Sequence, residues 1–392
     1  MNQSYDMTNY NTIKKLTLVQ VCPTFVDLEK ESGGVANVVR QLSLRLAAKG
    51  YDIIIVCGNR ELGRVVAKEG EQVYSNNIKV RVFDQMWHPA LGPIRELKGY
   101  INNINRQCIV HIHTCFSAFT EAAMNVANNK QFPIVFSPHG KLSPHMLSNY
   151  GLFKRLWWRL ITRKLLKKST VIGVMSSMET QEFERLDIQD NPFTVIPNGF
   201  EKVGKEELDC HLNSEKYILF LGYIDPRKQP EFLVEAFAKS KASKTHKLLF
   251  VGPDLYGFWE KVWEVAKSQQ VEEAVSWVGS AYGSKKWSYL YNASLVCLPS
   301  LAEGLPVVLC EALGAGVPVV YSEQCNFPEI SVSGAGVELR EFDPGLWANA
   351  IDEIVSNIDK RDMMVSNALK LSRHYDWDVI VSEWERVYLG LS

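Results

Sequence analysis

The chain has 392 residues, 46% of them hydrophobic, and a formal net charge of -1 at pH 7. That length and apolar content suffice for two hydrophobic cores, and the near-neutral balance argues against a general nucleic-acid binder. Its eight cysteines, at 22, 57, 108, 115, 210, 297, 310 and 325, include no Cys-x-x-Cys pair, so they read as buried thiols in a reducing compartment, not as a zinc site or a disulfide frame.

Met1 to Asn11 is polar, without the apolar core of a signal peptide, and no uninterrupted apolar run reaches the roughly 18 residues needed to span a bilayer. A cytoplasmic location is expected. Leu16 to Cys22 reads as a strand, and Gly33-Gly34 opens a helix with its apolar face at Val35, Val38, Val39, Leu42 and Leu46. Ile53 to Cys57 is the next strand. Glycines at the helix start allow backbone to approach a phosphate, although a paired glycine is more often only a turn. No Gly-x-Gly-x-x-Gly is present, which disfavours a dinucleotide oxidoreductase.

Val80 to Phe83 and Cys108 to His113 are further strands. His111 and His113 alternate onto one face, but no third Cys, His or carboxylate is locally spaced to complete a metal site, so His113 is read as lining a cleft at the strand end. Pro133 to Ser137 follows, then the loop Pro138-His139-Gly140-Lys141-Leu142-Ser143-Pro144 on the same sheet edge. At an ordinary pKa near 6.5, His139 could donate to a phosphate or hydroxyl at neutral pH.

Residues 154–168 hold seven Lys or Arg, no acid, and interleaved Leu, Ile and Trp. Such a basic helix suits either an anionic membrane surface or an ordinary core with a solvated basic face. After a strand at Val171 to Met175 and a helix at Ser177 to Leu186, the turn Ile196-Pro197-Asn198-Gly199 leads to a polar stretch at 199–215, read as a domain linker. The second half restarts with the strand Tyr217 to Gly222, and Arg227 and Lys228 stand in the loop before a helix from Pro230, where a cation can neutralise a diphosphate.

Strands at Lys247 to Gly252 and Val275 to Gly279 flank a helix at Tyr256 to Gln269. Ser294 to Leu298 and Val317 to Tyr321 are buried parallel strands, joined by a loop with Glu303 and a short helix with Glu311. Pro306 is expected at the first helical position and Gly314 and Gly316 as its stop. Eight helical residues rise about 12 Å, so the two carboxylates suit separate hydroxyl groups of one extended ligand, not one metal ion. Asp376-Trp377-Asp378 reads as a cap for the amphipathic helix Val379 to Tyr388. The expected fold class is α/β, two doubly wound parallel-sheet domains facing across a cleft.

Ser300-x-x-Glu303-Gly304, Glu311 eight residues on, and Gly316-x-Pro318-Val319-Val320 closely resemble the signature of retaining glycosyltransferases of family 4. The His139-Gly140 loop and the Ile196-Pro197-Asn198-Gly199 turn are similar to the family's loops in the same order, so the resemblance spans Gly33 to Tyr388. It implies the GT-B fold: a Rossmann-like acceptor-side domain over 1–200, a donor-binding domain over 201–375, and a helix over 376–392 crossing back. It implies His139, Glu303 and Lys228 as catalytic residues, and Gly33, Gly34, Arg227, Lys228, Glu303, Gly304, Leu305 and Glu311 as the donor site. His113 falls on the acceptor side.

Glu303 would contact the donor sugar, Glu311 the ribose, and Lys228 the diphosphate. Members commonly carry Arg where Tyr223 stands, with Arg227 as the substitute here, and Leu305-Pro306 replace an aromatic and a glycine. The resemblance implies transfer from a nucleotide-diphosphate sugar to a glycan or lipid-linked acceptor in cell-surface polysaccharide synthesis, without metal or cofactor. The enzyme would be cytoplasmic, with no nucleic-acid partner, and 154–168 is either a docking surface for the anionic inner membrane face or a solvated basic face. A nucleotide-sugar epimerase and a non-catalytic partner subunit are the alternatives on the same fold.

Overall fold

A computed structural model describes residues 16–29, 34–61, 64–84, 94–104, 107–142, 151–186, 188, 190–208 and 215–392. Gly33, Ser143, Pro144 and Cys210 lie outside the described residues, as does part of the polar stretch read as a linker.

Apolar runs in the first half become strands β1 (Thr17–Cys22), β2 (Asp52–Gly58), β6 (Ile78–Phe83), β7 (Cys108–His113), β8 (Ile134–Ser137), β9 (Val171–Val174) and β10 (Phe193–Val195). With β5 (Gly70–Ser75) they form a sheet in the order β10-β9-β8-β7-β1-β2-β6-β5, parallel apart from the edge strand β5. The second half supplies β11 (Tyr217–Leu221), β12 (Lys247–Val251), β13 (Val275–Trp277), β14 (Leu295–Leu298), β15 (Val319–Ser322) and β16 (Gly336–Leu339). These form an all-parallel sheet ordered β13-β12-β11-β14-β15-β16. Helices on both faces bury such strands completely, which is why they read as continuous apolar runs.

Each sheet reverses its winding beside its first strand, between β1 and β7 and between β11 and β14. Loops leaving the carboxyl ends of the two strands diverge there and open a crevice. Among the described candidates, Gly34 opens the helix after β1, His139 follows β8, Arg227 and Lys228 follow β11, Glu303, Gly304 and Leu305 follow β14, Glu311 lies on the next helix, and His113 is the last residue of β7.

Some elements carry no clear apolar period. The edge strand β5 is exposed at five of its six positions, and the hairpin of β3 (Arg60–Glu61) and β4 (Arg64–Val65) is too short to show one. Helix α2 (Ile94–Asn102) buries only Leu97 and Ile101, whereas α3 (Ala118–Asn129) is buried nearly all round.

The chain passes between the two units twice at one place. Phe200 and Asp376 form a parallel bridge, with Phe200 N–H donating to Tyr375 O at 3.0 Å. The terminal helix Trp377–Leu389 then packs on α1 (Gly34–Ala48), burying Trp377, Ile380, Val381, Trp384 and Tyr388 in the first unit's core. Two indoles of this size bury on the order of 200 Å² each, about 5 kcal/mol apiece at 25 cal/mol/Å² before ordering costs, which makes the return crossing a fixed part of the first unit. Asp376 caps this helix, its Oδ1 accepting from Asp378 N–H at 2.8 Å. Seven described cysteines are buried free thiols.

Candidate active site

The crevice of the second unit is built from two adjoining loops. After β11, Asp225 Oδ1 accepts from Arg227 N–H at 2.8 Å and caps a 3-10 turn, Pro226–Lys228; Gln229, at φ 52°, then reverses the chain into the helix Pro230–Lys239. This turn buries Lys228 and aims its Nζ at Glu303 Oε1, 2.7 Å away. Glu303 follows β14. Ser300 Oγ donates to the same oxygen at 2.8 Å, and Leu301 N–H donates to Arg227 O at 2.8 Å, tying the loops together. Burial by itself would raise the Glu303 carboxyl; Lys228 and Arg227, with the hydrogen bonds from Lys228 and Ser300, outweigh it and hold it below the ordinary value.

Eight residues further along, the helix Val307–Ala315 carries Glu311, which is buried and accepts from Lys286 Nζ at 2.7 Å. Lys286 comes from the helix Gly283–Asn292 and has no sequence signal beyond two adjacent lysines. Pro306 precedes the first helical residue as its cap and is not itself that residue. Gly316 ends the helix at φ 71°, but Gly314 lies inside it; a Cβ there would stand 2.2 Å from the Phe200 ring, so its smallness serves the crossover and not the stop. Leu305 packs its side chain into the second core. Arg227 is half-buried beside the Lys228–Glu303 pair.

The first unit contributes a stack of imidazoles. His111 and His113 on β7 lie face to face with ring centroids 4.0 Å apart, and His139, two residues past β8, lies end to end with His113, the ring planes 18° apart and the centroids 5.2 Å apart. His113 Nε2 is 2.7 Å from Gln20 Oε1 and its Nδ1 is 2.9 Å from His139 Nε2. His111 bonds the Tyr388 hydroxyl at 2.7 Å and Ser137 Oγ at 2.9 Å. Two expectations change. His113 is 1% exposed and, with His111 and His139, lines a small enclosed cavity instead of an open cleft. Burial, with Lys141 nearby, pushes His139 down to about 4, so it is neutral at pH 7 and not a ready cation.

His139 itself has φ 52°, and Gly140 follows at φ 72°. Glu179 pins this loop: its Oε1 accepts from Gly140 N–H at 3.1 Å and its Oε2 from Met175 N–H at 2.8 Å. Burial raises the Glu179 carboxyl, and the two backbone bonds offset part of the rise. Here the two units touch. A Cβ on Gly140 would lie 2.9 Å from Gly304 Cα, so the His139 loop and the Glu303 loop meet backbone to backbone. Gly34, at φ 61°, opens α1 with open space where a Cβ would stand.

Residues 152–166 form a helix interrupted by a π turn at Trp158–Thr162, where a regular α-helix was expected. In an α-helix, residues five apart face about 140° away from each other, and the wider π turn brings them back onto one side. Trp157 Nε1 thereby donates to Glu121 Oε2 at 2.6 Å and Thr162 Oγ1 to Glu121 Oε1. Leu156, Leu160 and Ile161 remain exposed, beside exposed Arg155, Arg159, Lys164, Lys167 and Lys168. Among the described residues no helix is long and apolar enough to cross a membrane.

Two doubly wound units with carboxylate and ammonium groups converging at the strand ends define a GT-B glycosyltransferase. The family model for Glycosyltransferase Family 4 matches residues 32–202, and that for Glycosyl transferases group 1 matches residues 210–371. A phosphatidyl-myo-inositol mannosyltransferase of Mycobacterium leprae is 30% identical over 386 residues, covering 94% of this chain and 95% of its own. The chain belongs to glycosyltransferase family 4. Among solved structures, a sucrose-phosphate synthase from Thermosynechococcus elongatus superposes with a TM-score of 0.76 at 17% identity, covering 96% of this chain and 99% of its own. HepE of Anabaena, in complex with UDP and glucose, superposes at 0.71 with 16% identity, covering 96% and 100%.

Proposed function

We propose that this glycosyltransferase moves a sugar from a nucleotide-diphosphate donor to a glycan or lipid-linked acceptor with retention at the anomeric carbon and without a metal. The observation that carries the reading is the buried Lys228–Glu303 pair at the β11/β14 seam, with Lys286–Glu311 on the neighbouring helices. Ammonium groups suit a diphosphate, and carboxylates suit sugar and ribose hydroxyls. Lys228 and Arg227 serve the diphosphate, Glu303 the donor sugar, and Glu311 the ribose, while the backbone at Gly34, Gly304 and Leu305 lines the donor.

As the bond from the anomeric carbon to the diphosphate oxygen breaks, negative charge grows on the leaving group where Lys228 already stands. The acceptor oxygen bonds the same face of the anomeric carbon, and its proton passes to the departing diphosphate. His139 orients the sugar by hydrogen bonding. HepE, solved with UDP and glucose, supports a nucleotide donor in this fold, and the mannosyltransferase relative, named for phosphatidyl-myo-inositol, supports a lipid acceptor. Exposed leucines beside five exposed cations on the π-interrupted helix favour docking on an anionic membrane face during cell-surface polysaccharide synthesis.

Thermal melting against UDP, GDP, ADP and dTDP, with and without magnesium, tests the donor site. A nucleotide at 100 times its Kd stabilises by about 2.7 kcal/mol. Transfer with the nucleotide so identified, followed by NMR of the anomeric product, tests retention. An inverted product, or donor consumed without acceptor, overturns the reading.

A further inference from the structure

The imidazole stack has a direction set at its buried end. Gln20, fully buried on β1, presents its amide oxygen to His113 Nε2 at 2.7 Å. With the Gln20 amide oxygen turned to His113 and the Gln20 Nε2 buried without a partner among the described residues, the oxygen accepts, which puts the His113 proton on Nε2 and leaves Nδ1 a lone pair. That lone pair faces His139 Nε2 at 2.9 Å, so the proton of His139 is on Nε2 too. The remaining nitrogen, His139 Nδ1, is buried and has no hydrogen-bond partner among the described residues. It belongs to the residue that adjoins Gly140, where the two units touch.

We infer that Gln20 and His113 are positioning residues for transfer: they lock His139 in its Nε2–H tautomer, leaving Nδ1 as an acceptor for a sugar hydroxyl at the junction of the two units. The inference rests on the transfer reading above. Around the pair stand His111 on β7, Lys141 after Gly140, Glu179 holding the Gly140 N–H, Tyr388 on the terminal helix and Glu303 from the other unit. Burial keeps both His111 and His113 well below 6.5, so the chain is neutral at pH 7 and only tautomers are at stake.

Gln20→Glu inverts the arrangement. A carboxylate facing His113 favours its doubly protonated form, whose Nδ1–H then donates to His139 Nε2 and moves the His139 proton to Nδ1. Nitrogen-15 spectra of histidine-labelled protein read both protonation sites without an assay. Expected are Nε2–H on His113 and His139 in the wild type at pH 7, and Nδ1–H on His139 in Gln20→Glu. In transfer assays Gln20→Glu should lose about tenfold in kcat at pH 7, with the donor KM within about twofold, and recover as His113 loses its extra proton at higher pH. Gln20→Leu, which removes the acceptor without adding charge, should lose about as much with no such pH dependence.

A wild-type His139 carrying its proton on Nδ1, or a Gln20→Glu enzyme with wild-type spectra and pH profile, overturns the relay. If the wild type transfers no sugar from any nucleotide donor, the functional reading fails, while the spectra still decide the relay.

Discussion

Lys228 Nζ and Glu303 Oε1 stand 2.7 Å apart although they are 75 residues apart in sequence, because β11 and β14 are neighbours at the point where the second sheet reverses its winding. Both side chains are largely buried, 9% and 13% exposed, so each is the other's compensation for lost water. Removing one partner of such a pair costs about 3–5 kcal/mol, whereas removing both charges costs much less. Lys228→Met and Glu303→Gln should each lower the urea midpoint clearly, and the double variant should regain most of the loss while staying inactive. Additive losses in the double variant would show that the two groups do not compensate each other.

Glu311 and Lys286 form the second pair, 25 residues apart. Lys286→Met removes a charged donor from Glu311, so the donor KM should rise about tenfold with kcat changed by less than about threefold, in line with a charged hydrogen bond of roughly 1.5–3 kcal/mol. Initial-rate kinetics with varied donor decide this. A fall in kcat at constant KM would move Lys286 from binding to the chemical step.

Gly140 and Gly304 let the two units meet, and a methyl group at 140 would stand 2.9 Å from the Gly304 Cα in a backbone conformation that side chains disfavour. Gly140→Ala should therefore cost about 1–3 kcal/mol of stability or force the units apart. Small-angle scattering should show a larger radius of gyration than the wild type, together with slower transfer. Wild-type scattering and rate would show that the contact is dispensable.

Acid sensitivity follows from the imidazole stack. His111, His113 and His139 are held below their ordinary 6.5 by burial, so the unfolded chain binds their protons first as pH falls. Their stabilisation is complete above about pH 6.5 and is lost toward the lower folded values, at up to about 1.4 kcal/mol per pH unit for each. Glu121, raised by burial to about 6 against the two donors that hold it, acts with the opposite sign between 4.5 and 6. Denaturation free energies from pH 7.5 to 6 should thus fall by more than one proton's worth, and a flat profile would mean that the stack is hydrated.

The π-interrupted helix gives a surface prediction. Each Lys near an anionic membrane adds about 1 kcal/mol, so Lys164→Gln with Lys168→Gln should weaken partition onto phosphatidylglycerol vesicles about 30-fold and leave neutral vesicles unaffected. Flotation assays measure this, and equal recovery of variant and wild type would remove the membrane from the reading.

Much of this protein is local and therefore readable from its sequence. Buried parallel strands show as apolar runs, the cap at Asp376 as a short motif, and the loop-and-helix segment carrying Glu303 and Glu311 as a strand, a turn and a helix stop in succession. Tertiary structure decided which charges meet. Lys286 reaches Glu311 across a helix pair, and Gln20 reaches His113 from 93 residues away on the neighbouring strand; neither has a spacing that could announce it. It also placed His113 against His139 and turned the expected regular helix at 154–168 around Glu121 through a π turn. Periodicity encodes which face of an element is buried. The partner of a buried polar group is set by sheet order, which brings together loops that the chain keeps far apart.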